Sequence, residues 1–443
     1  MNHKYPPSIS EYGKIRKPTS KSDFLSCLPK DVITFERPLV DAYVIDGPAF
    51  VHMNTPKMSS TYGEYFGTEL TKKIRDLSDD VIRIELVFDV YRQISVKRET
   101  RDSQGSGYRI SVRPDTPIAK GTRGSSDFLK NDKNKTELFS MLADIITENI
   151  RDSQTDIVAT KGIIVVSNKN DHRDEIEPCT HEEADTRMLL HVNDIDKKGL
   201  KKIILMTVDT DVVIIALQVF YSLDVDELWI EFGVGKNRHW IPIHRCAFNL
   251  GEERCRALPF WFCFIGCDSV SQFAGRGKKT AWDVWFAYPE VTETFIKLGG
   301  LCSISLDEKK RLERFVCLLY DRASPFDCVN ECRRYLFVKK GRMIDSCPPT
   351  SNVLEQHTKR ACYQSSIWTN CLTKDCSSID VQQWGWILKE NELRLVWTTL
   401  PKASAACKEL KKCKCKTTCS LKCACKNSGL SCTERCPCDG YCE

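Results

Sequence analysis

Two aspartates, Asp209 and Asp211, stand inside the run "IILMTVDTDVVII", which is otherwise almost wholly apolar. Burying one unpaired carboxylate is expensive, and two close together also repel. Such a pair must be neutralised, or it must be holding something. Other acids close or open apolar runs elsewhere: Asp46 in "DAYVIDG", Asp89 in "VIRIELVFDVY", Glu183 and Asp185 in "HEEADTRMLLHV", and Asp268 after "PFWFCFIGC". Seven carboxylates drawn to one place call for hard divalent cations. Mg²⁺ or Mn²⁺ takes oxygen ligands, keeps several waters, and suits carboxylates plus a phosphate. Two such ions about 3.5–4 Å apart can activate water and stabilise the leaving oxygen of a phosphodiester.

The elements that must position these acids are strands and helices in alternation. "DAYVID" and "VIRIELVFD" are apolar strands ending in Asp46 and Asp89. "GIIVVSN" is a third strand, the run before Asp209 a fourth, and "LWIEFGVGKNRHWIPIH" a fifth with a hairpin return near Gly235–Asn237. "TELFSMLADIITENI" has apolar residues at helical spacing, and "HEEADTRMLLHV" turns from acidic to apolar as a helix start does. Unbroken apolar strands separated by helices predict an α/β fold, a mostly parallel twisted sheet with helices on both faces. In such sheets ligands bind beyond the carboxyl ends of the strands, where Asp46, Asp89 and Asp209 fall.

The 443-residue chain divides by composition. Residues 1–38 are polar and expected to be weakly ordered. Residues 39–290 form the α/β domain, including a basic, Gly/Ser/Pro-rich loop over 92–136 that is expected to be mobile and a hairpin over 268–286. Residues 291–345 read as a helical extension, 346–406 as an irregular, tryptophan-containing segment, and 407–443 as a cysteine-rich module. Eleven Lys and Arg face five acids in 92–136, and residues 401–443 carry a net charge of +5, so the rest of the chain is formally neutral. Two basic zones on a balanced protein point to a polyanion, most simply nucleic acid. No apolar window spans a membrane and the first residues lack the apolar middle of a signal peptide. The expectation is an intracellular, soluble protein with no membrane partner.

The order of the acidic motifs resembles the flap endonuclease and excision-repair nuclease family, whose core is PIN-like. "VIDG" is similar to its first Asp motif, "VFD" to its second, "EEAD" to its acidic helix start, "DTD" to its Asp-x-Asp, and "GCDSVSQFAGRGKKTAWDVW" to its Gly-Cys-Asp and helical DNA-binding hairpin. The resemblance covers roughly residues 41–290. It implies that Asp46, Asp89, Glu183 and Asp185 hold one Mg²⁺ or Mn²⁺ and that Asp209, Asp211 and Asp268 hold a second. It further implies that Lys97 and Arg101 stabilise developing negative charge, and that Gly275, Gly277, Lys278 and Lys279 grip duplex backbone, with K⁺ at the hairpin. The implied substrate is DNA with a branch or a single strand, and the implied location the nucleus.

The tail has its own arithmetic. Cys413, Cys415, Cys419, Cys423, Cys425, Cys432, Cys436, Cys438 and Cys442 follow C-x-C-x₃-C-x₃-C-x-C-x₆-C-x₃-C-x-C-x₃-C, with Cys407 outside the set. Zinc takes four ligands, so nine thiolates satisfy three Zn²⁺ if three of them bridge. The remaining negative charge is offset by Lys414, Lys416, Lys422 and Lys426. This spacing resembles the CXC zinc modules of the tesmin family and of chromatin methyltransferases, which implies contact with nucleic acid or chromatin. A nuclease core joined to such a tail also suits a protein of mobile-element origin. A ribonuclease on the same scaffold, a catalytically inactive nucleic-acid binder and a zinc-organised adaptor remain open on the residues alone.

Overall fold

The computed structural model describes residues 4–19, 21–29, 33–98, 105, 107–119, 124–169, 173–300, 303–376, 379–401, 413–415, 423–428, 432 and 436–438. Seven strands make the central sheet: β1 (Ala42–Asp46), β2 (Arg83–Val87), β3 (Asp156–Lys161), β4 (Ile164–Ser167), β5 (Lys202–Thr207), β6 (Glu227–Phe232) and β7 (His239–Pro242). Their order is β4-β3-β2-β1-β5-β6-β7. The five inner strands run parallel, and the two edge strands, β4 and β7, return antiparallel. The chain works outward from β1 through β2 and β3, then restarts at β5 on the other side of β1. That reversal makes the β1/β5 junction the switch point, where a parallel sheet opens a crevice at its carboxyl edge.

Side-chain alternation explains why both faces are covered. Ala42 and Val44 of β1 face one core and Tyr43 and Ile45 the other. On the first face pack α3 (Ala184–Lys197), α4 (Thr210–Val219) and α5 (Glu252–Ile265); on the second packs α2 (Asp132–Asn149), through Leu138, Leu142 and Ile146. Helix α4 is buried almost all round, because α5 and α3 cover the sides that the sheet does not. This is the α/β architecture that the unbroken apolar runs predict. No helix among the described residues is long and apolar enough to cross a membrane.

Four local expectations are corrected. The parallel third strand is β3, "DIVATK", and the run "IVVS" is only its antiparallel edge partner. The described part of the basic loop is held down: Val112 N–H donates to Glu137 Oε2 at 2.8 Å, and Gly63 N–H to Pro114 O at 2.8 Å. The segment before β1 is anchored by Phe24, whose ring lies 5.7 Å from Trp282 and 6.0 Å from both Trp261 and Phe262. Finally, the tryptophan-containing segment is not irregular at its start. It opens with a 19-residue helix, Ser351–Thr369, that packs on α5. Its buried face carries Gln356, His357, Arg360, Gln364 and Ser365, so polar residues stand where a helix stripe is normally apolar.

Candidate active site

The acids gather at the switch point. Asp46 ends β1 and starts the short helix α1 (Gly47–Met53). Its Oδ1 accepts from Ala49 N–H at 3.0 Å and its Oδ2 from the Thr207 hydroxyl, at the end of β5, at 2.9 Å. Gly47 is required there: a Cβ would lie 2.1 Å from the Phe88 ring, so "IDG" and "VFD" interlock only without a side chain. Asp89 accepts from Ala184 N–H at 2.8 Å and thereby caps α3 from a neighbouring loop. Glu183, at the N-cap position of that helix, makes no capping bond. It is released to face the cavity, as is Asp185, two residues on in the first turn. Asp209 caps α4 through Asp211 N–H at 2.9 Å. Carboxylate oxygens of Asp185, Asp209 and Asp211 lie within 4.8 Å of one another. A cavity of about 620 Å³ is lined by Asp46, Asp89, Glu183, Asp185, Asp209 and Asp268. Asp211 lies behind it, only 1% exposed.

Two ammonium groups sit among these acids. Lys97 pairs with Glu183 and lies 3.9 Å from Asp268. Lys21 lies 2.8 Å from Asp268, 3.0 Å from Asp211 and 3.9 Å from Asp209. Lys21 therefore touches the three acids that the resemblance assigns to the second ion. The composition of the N-terminal segment hid it. The usable signal was "FLSCL", an apolar cluster able to tie Lys21 down through Phe24 and Leu28. The chain near Lys21 is also stitched to the loop after Asp268: Gln272 N–H donates to Arg16 O at 2.8 Å, and Thr19 N–H to Gln272 Oε1 at 2.9 Å.

The electrostatics are those of a cation site. Burial raises Asp46 to about 7 against its two hydrogen bonds, and Asp89 adds to the rise. Burial raises Glu183 to about 7, opposed by Lys97. Asp185 and Asp211 are pushed up by burial and then by Asp209. Burial works against the charges of Lys21 and Lys97 too, yet the surrounding carboxylates hold both above the usual lysine value. Asp268 goes the other way: Lys97 and Lys21 outweigh its burial and lower it. Among the described residues, seven acids against the two lysines paired with them leave a negative excess that Lys135, at the cavity wall, offsets only in part. Glu183 Oε2 and Asp211 Oδ1 are buried with no hydrogen-bond partner. An all-oxygen donor set with orphaned oxygens fits a hard divalent cation.

The other anticipated residues divide. Arg101 lies outside the described residues. In the hairpin, Gly275 is exposed at φ +65°, Gly277 precedes helix α6 (Lys278–Ala287), and Lys279 is exposed. Lys278 corrects the expectation of a backbone-gripping lysine. It is 2% exposed, donates to the carbonyls of Phe262 and Gly266, and sits 3.5 Å from the centre of the Phe262 ring. Carbonyls at the end of α5, where the helical ladder runs out, draw it inward; Phe262 O also accepts from Gly266 N–H at 3.2 Å.

In the tail, Cys413, Cys415, Cys423, Cys425, Cys432, Cys436 and Cys438 converge; Cys419 and Cys442 lie outside the described residues. Cys413, Cys425, Cys432 and Cys436 form one set of sulfurs within 4.8 Å, and Cys413, Cys415 and Cys423 another. Cys413 is shared between them, as a bridging thiolate would be. Individual Sγ···Sγ separations are 3.7–3.8 Å. A tetrahedron with Zn–S bonds of about 2.3 Å has edges of about 3.8 Å, whereas a disulfide needs about 2.05 Å.

No family model and no curated protein matches the chain. Among solved structures it is similar to the T5 D15 protein co-crystallised with metal ions, at 12% identity and TM-score 0.34, over 72% of this chain and 98% of that one. It is similar to a bacteriophage T5 D15 flap endonuclease pseudo-enzyme–product complex with DNA and metal ions, at 12% identity and TM-score 0.32, over 73% and 99%. It is also similar to flap endonuclease-1 from Methanococcus jannaschii, at 14% identity and TM-score 0.32, over 79% and 98%. At these scores the likeness adds no weight to the geometry of the site.

Proposed function

We propose that the chain is a divalent-metal-dependent nuclease with a PIN-like, flap-endonuclease type of core, acting on DNA that contains a branch or a single strand. One observation carries this reading: seven carboxylates converge on the carboxyl edge of a parallel sheet at its switch point, and among the described residues the lysines seen in ion pairs with them are Lys21 and Lys97. Asp46, Asp89, Glu183 and Asp185 would hold one Mg²⁺ or Mn²⁺, and Asp209, Asp211 and Asp268 the other, with Asp185 close enough to join the second set. Bound there, such ions supply activation of water and neutralisation of phosphoryl charge. Thr207 and the Ala49 amide hold the Asp46 carboxylate in place. Lys97, released from Glu183, and Arg101 would donate to phosphoryl oxygens as negative charge grows. Gly275, Gly277 and Lys279 would meet duplex backbone at the start of α6, with K⁺ there, while Lys278 holds the turn from within. The nine cysteines would hold three Zn²⁺ in a module that keeps the protein on nucleic acid or chromatin in the nucleus.

A second reading rests on Lys21. If its ammonium permanently replaces the second ion, the protein binds nucleic acid without cutting it. Cleavage of a labelled branched DNA, with its RNA counterpart in parallel, separates the two. With Mg²⁺ the wild type is expected to cut the DNA. Asp209→Asn/Asp211→Asn should lose about 10³-fold in rate, since charge stabilisation by such ions is worth several kcal/mol. Turnover that survives this double change sinks the assignment, and preferred cleavage of the RNA makes the protein a ribonuclease. The same preparation should carry three zinc ions per chain by elemental analysis.

A further inference from the structure

A second cavity, of about 800 Å³, lies on the far side of the loop that carries Lys97. Three segments distant in sequence build it: residues 4–14, residues 93–98, and the hairpin of β8 (Trp386–Lys389) and β9 (Glu392–Leu395). Five cations line it, Lys4, Lys14, Arg98, Lys389 and Arg394, against one acid, Glu392. The hairpin register sets Ile387 opposite Arg394 and Lys389 opposite Glu392. Alternation therefore puts these four on one face of the ribbon. Arg394 is paired with Glu390 at 3.0 Å, an exposed contact that a phosphate can replace. Between the cations stand exposed apolar groups: Tyr5, at 45%, Ile94, at 47%, and Leu400, at 45%.

The two cavities share a wall. Within the loop, Lys97 N–H donates to Ser95 Oγ at 3.1 Å, Arg98 N–H to Ser95 O at 3.2 Å, and Arg98 Nη1 to Gln93 O at 3.1 Å. Ser95 is buried and fixes the turn. Lys97 consequently enters the acidic cavity, while Arg98, the next residue, lines the cationic one.

We propose that this groove binds the single-stranded part of the nucleic acid whose phosphodiester lies in the acidic site. This deepens the nuclease reading and rests on it for the position of the cut. Cations spaced along a wall with an aromatic and aliphatic groups between them match a backbone whose bases are free to stack. A strand running from one cavity to the other passes over Lys97 and Arg98 in turn. The chain's own tail is a poor match for the groove: its basic side chains outnumber its acids nine to four, so even with its thiolates bound to zinc it brings no net negative charge to a cationic wall. The groove also gives a role to the β8–β9 hairpin, which is otherwise a ribbon beyond the α/β core.

The test is fluorescence anisotropy with a labelled 20-nucleotide oligo-dT in EDTA, so that no turnover enters, and with oligo-rU as a parallel arm. Lys14→Gln/Lys389→Gln/Arg394→Gln, all exposed positions, is expected to weaken strand binding at least tenfold. It should flatten the log–log salt dependence by roughly 2, since each lost single-strand phosphate contact removes about 0.7. Affinity for a blunt duplex should change less than twofold. A 5-iodouracil-substituted strand should photo-crosslink to Tyr5 in the unaltered protein, which keeps the question open to test if the triple variant folds poorly. Unchanged strand affinity and salt slope would overturn the proposal, as would crosslinks confined to residues 275–279, or equal displacement by a poly-glutamate peptide of matched charge. Lack of metal-dependent cleavage by the wild type removes the catalytic reading alone, because this binding measurement does not depend on it.

Discussion

The same sheet carries two buried ionic clusters of opposite character. One lies on β2 under α3. There Arg83 meets Glu85 at 2.5 Å, Asp194 at 2.6 Å and Asp156 at 3.5 Å, Arg173 closes on Asp156 at 2.8 Å, and Lys198 on Asp194 at 3.2 Å. Three acids face three cations, with His191 also bonded to Glu85. The other cluster is the rim, with seven acids and two lysines. The balanced cluster holds Glu85 at about 2, because Arg83 and His191 outweigh complete burial. The unbalanced one lets burial drive Asp46 and Glu183 up to about 7. Burial is common to both, so it does not mark function. The unpaired excess of one sign is what the nuclease reading rests on, because folding alone gives no reason to assemble it.

The sharpest way to break this comparison is to remove the shared cation of the balanced cluster. Arg83→Met leaves Glu85 and Asp194 buried without the cation they share. It should destabilise the protein by about 3–5 kcal/mol, as breaking buried pairs does, read as a lower midpoint in urea. A loss under about 1 kcal/mol would mean that the cluster is dispensable and that charge balance is a poor guide to role. At lower pH the same cluster gives a signed expectation. Glu85 is depressed on folding, so its stabilisation is present above the unfolded value near 4.5 and fades as pH falls toward 2.

Lys278 sharpens the contrast from the cation's side. Lys21 and Lys97 are raised because acids face them, whereas Lys278, hydrogen-bonded to carbonyls, is lowered by burial to about 7. Between that value and an unfolded value near 10.4, the unfolded chain holds a proton that the folded chain does not, so stability must rise with pH. Urea titrations in EDTA at pH 7.5 and 9 should show the wild type gaining up to about 2 kcal/mol relative to Lys278→Met, at about 1.4 kcal/mol per pH unit. Parallel curves for the two proteins would mean that Lys278 is charged in the fold.

How far the sequence disclosed all this depended on whether burial and polarity agreed locally. The strands before Asp46, Asp89 and Asp209 are legible because inner strands of a parallel sheet are mostly apolar and an acid follows the run; in β2 the apolar residues outweigh Arg83 and Glu85, which pair with each other inside the fold. Strand β3 was not, because Thr160 and Lys161 break its apolar run. The Ser351–Thr369 helix was missed because its buried face is bonded rather than greasy: His357 reaches Phe264 O at 2.7 Å, and Gln364 accepts from Ser269 at 2.5 Å. Lys278 looked like a surface lysine because charge is read as exposure. Lys21 was lost in a polar segment whose order comes from one phenylalanine in an aromatic pocket.

Lys21 is also where the comparison can be sharpened most finely. Its ammonium sits against Asp209, Asp211 and Asp268, so an ion entering there must displace it or share the space. Lys21→Met removes the competitor and leaves the three carboxylates. Mn²⁺ binding, followed by electron paramagnetic resonance, should therefore tighten by about tenfold, or about 1.4 kcal/mol. The metal-free variant should melt lower than the wild type, because the acids lose their counter-charge. If the wild type binds two ions per acidic site and the variant binds them no more tightly, Lys21 does not compete. It would then be a tether for the N-terminal segment, displaced at no cost. If the wild type binds one ion and the variant two, Lys21 stands in for the second cation in the native protein. The rim would then be, like the cluster on β2, partly neutralised by its own side chains.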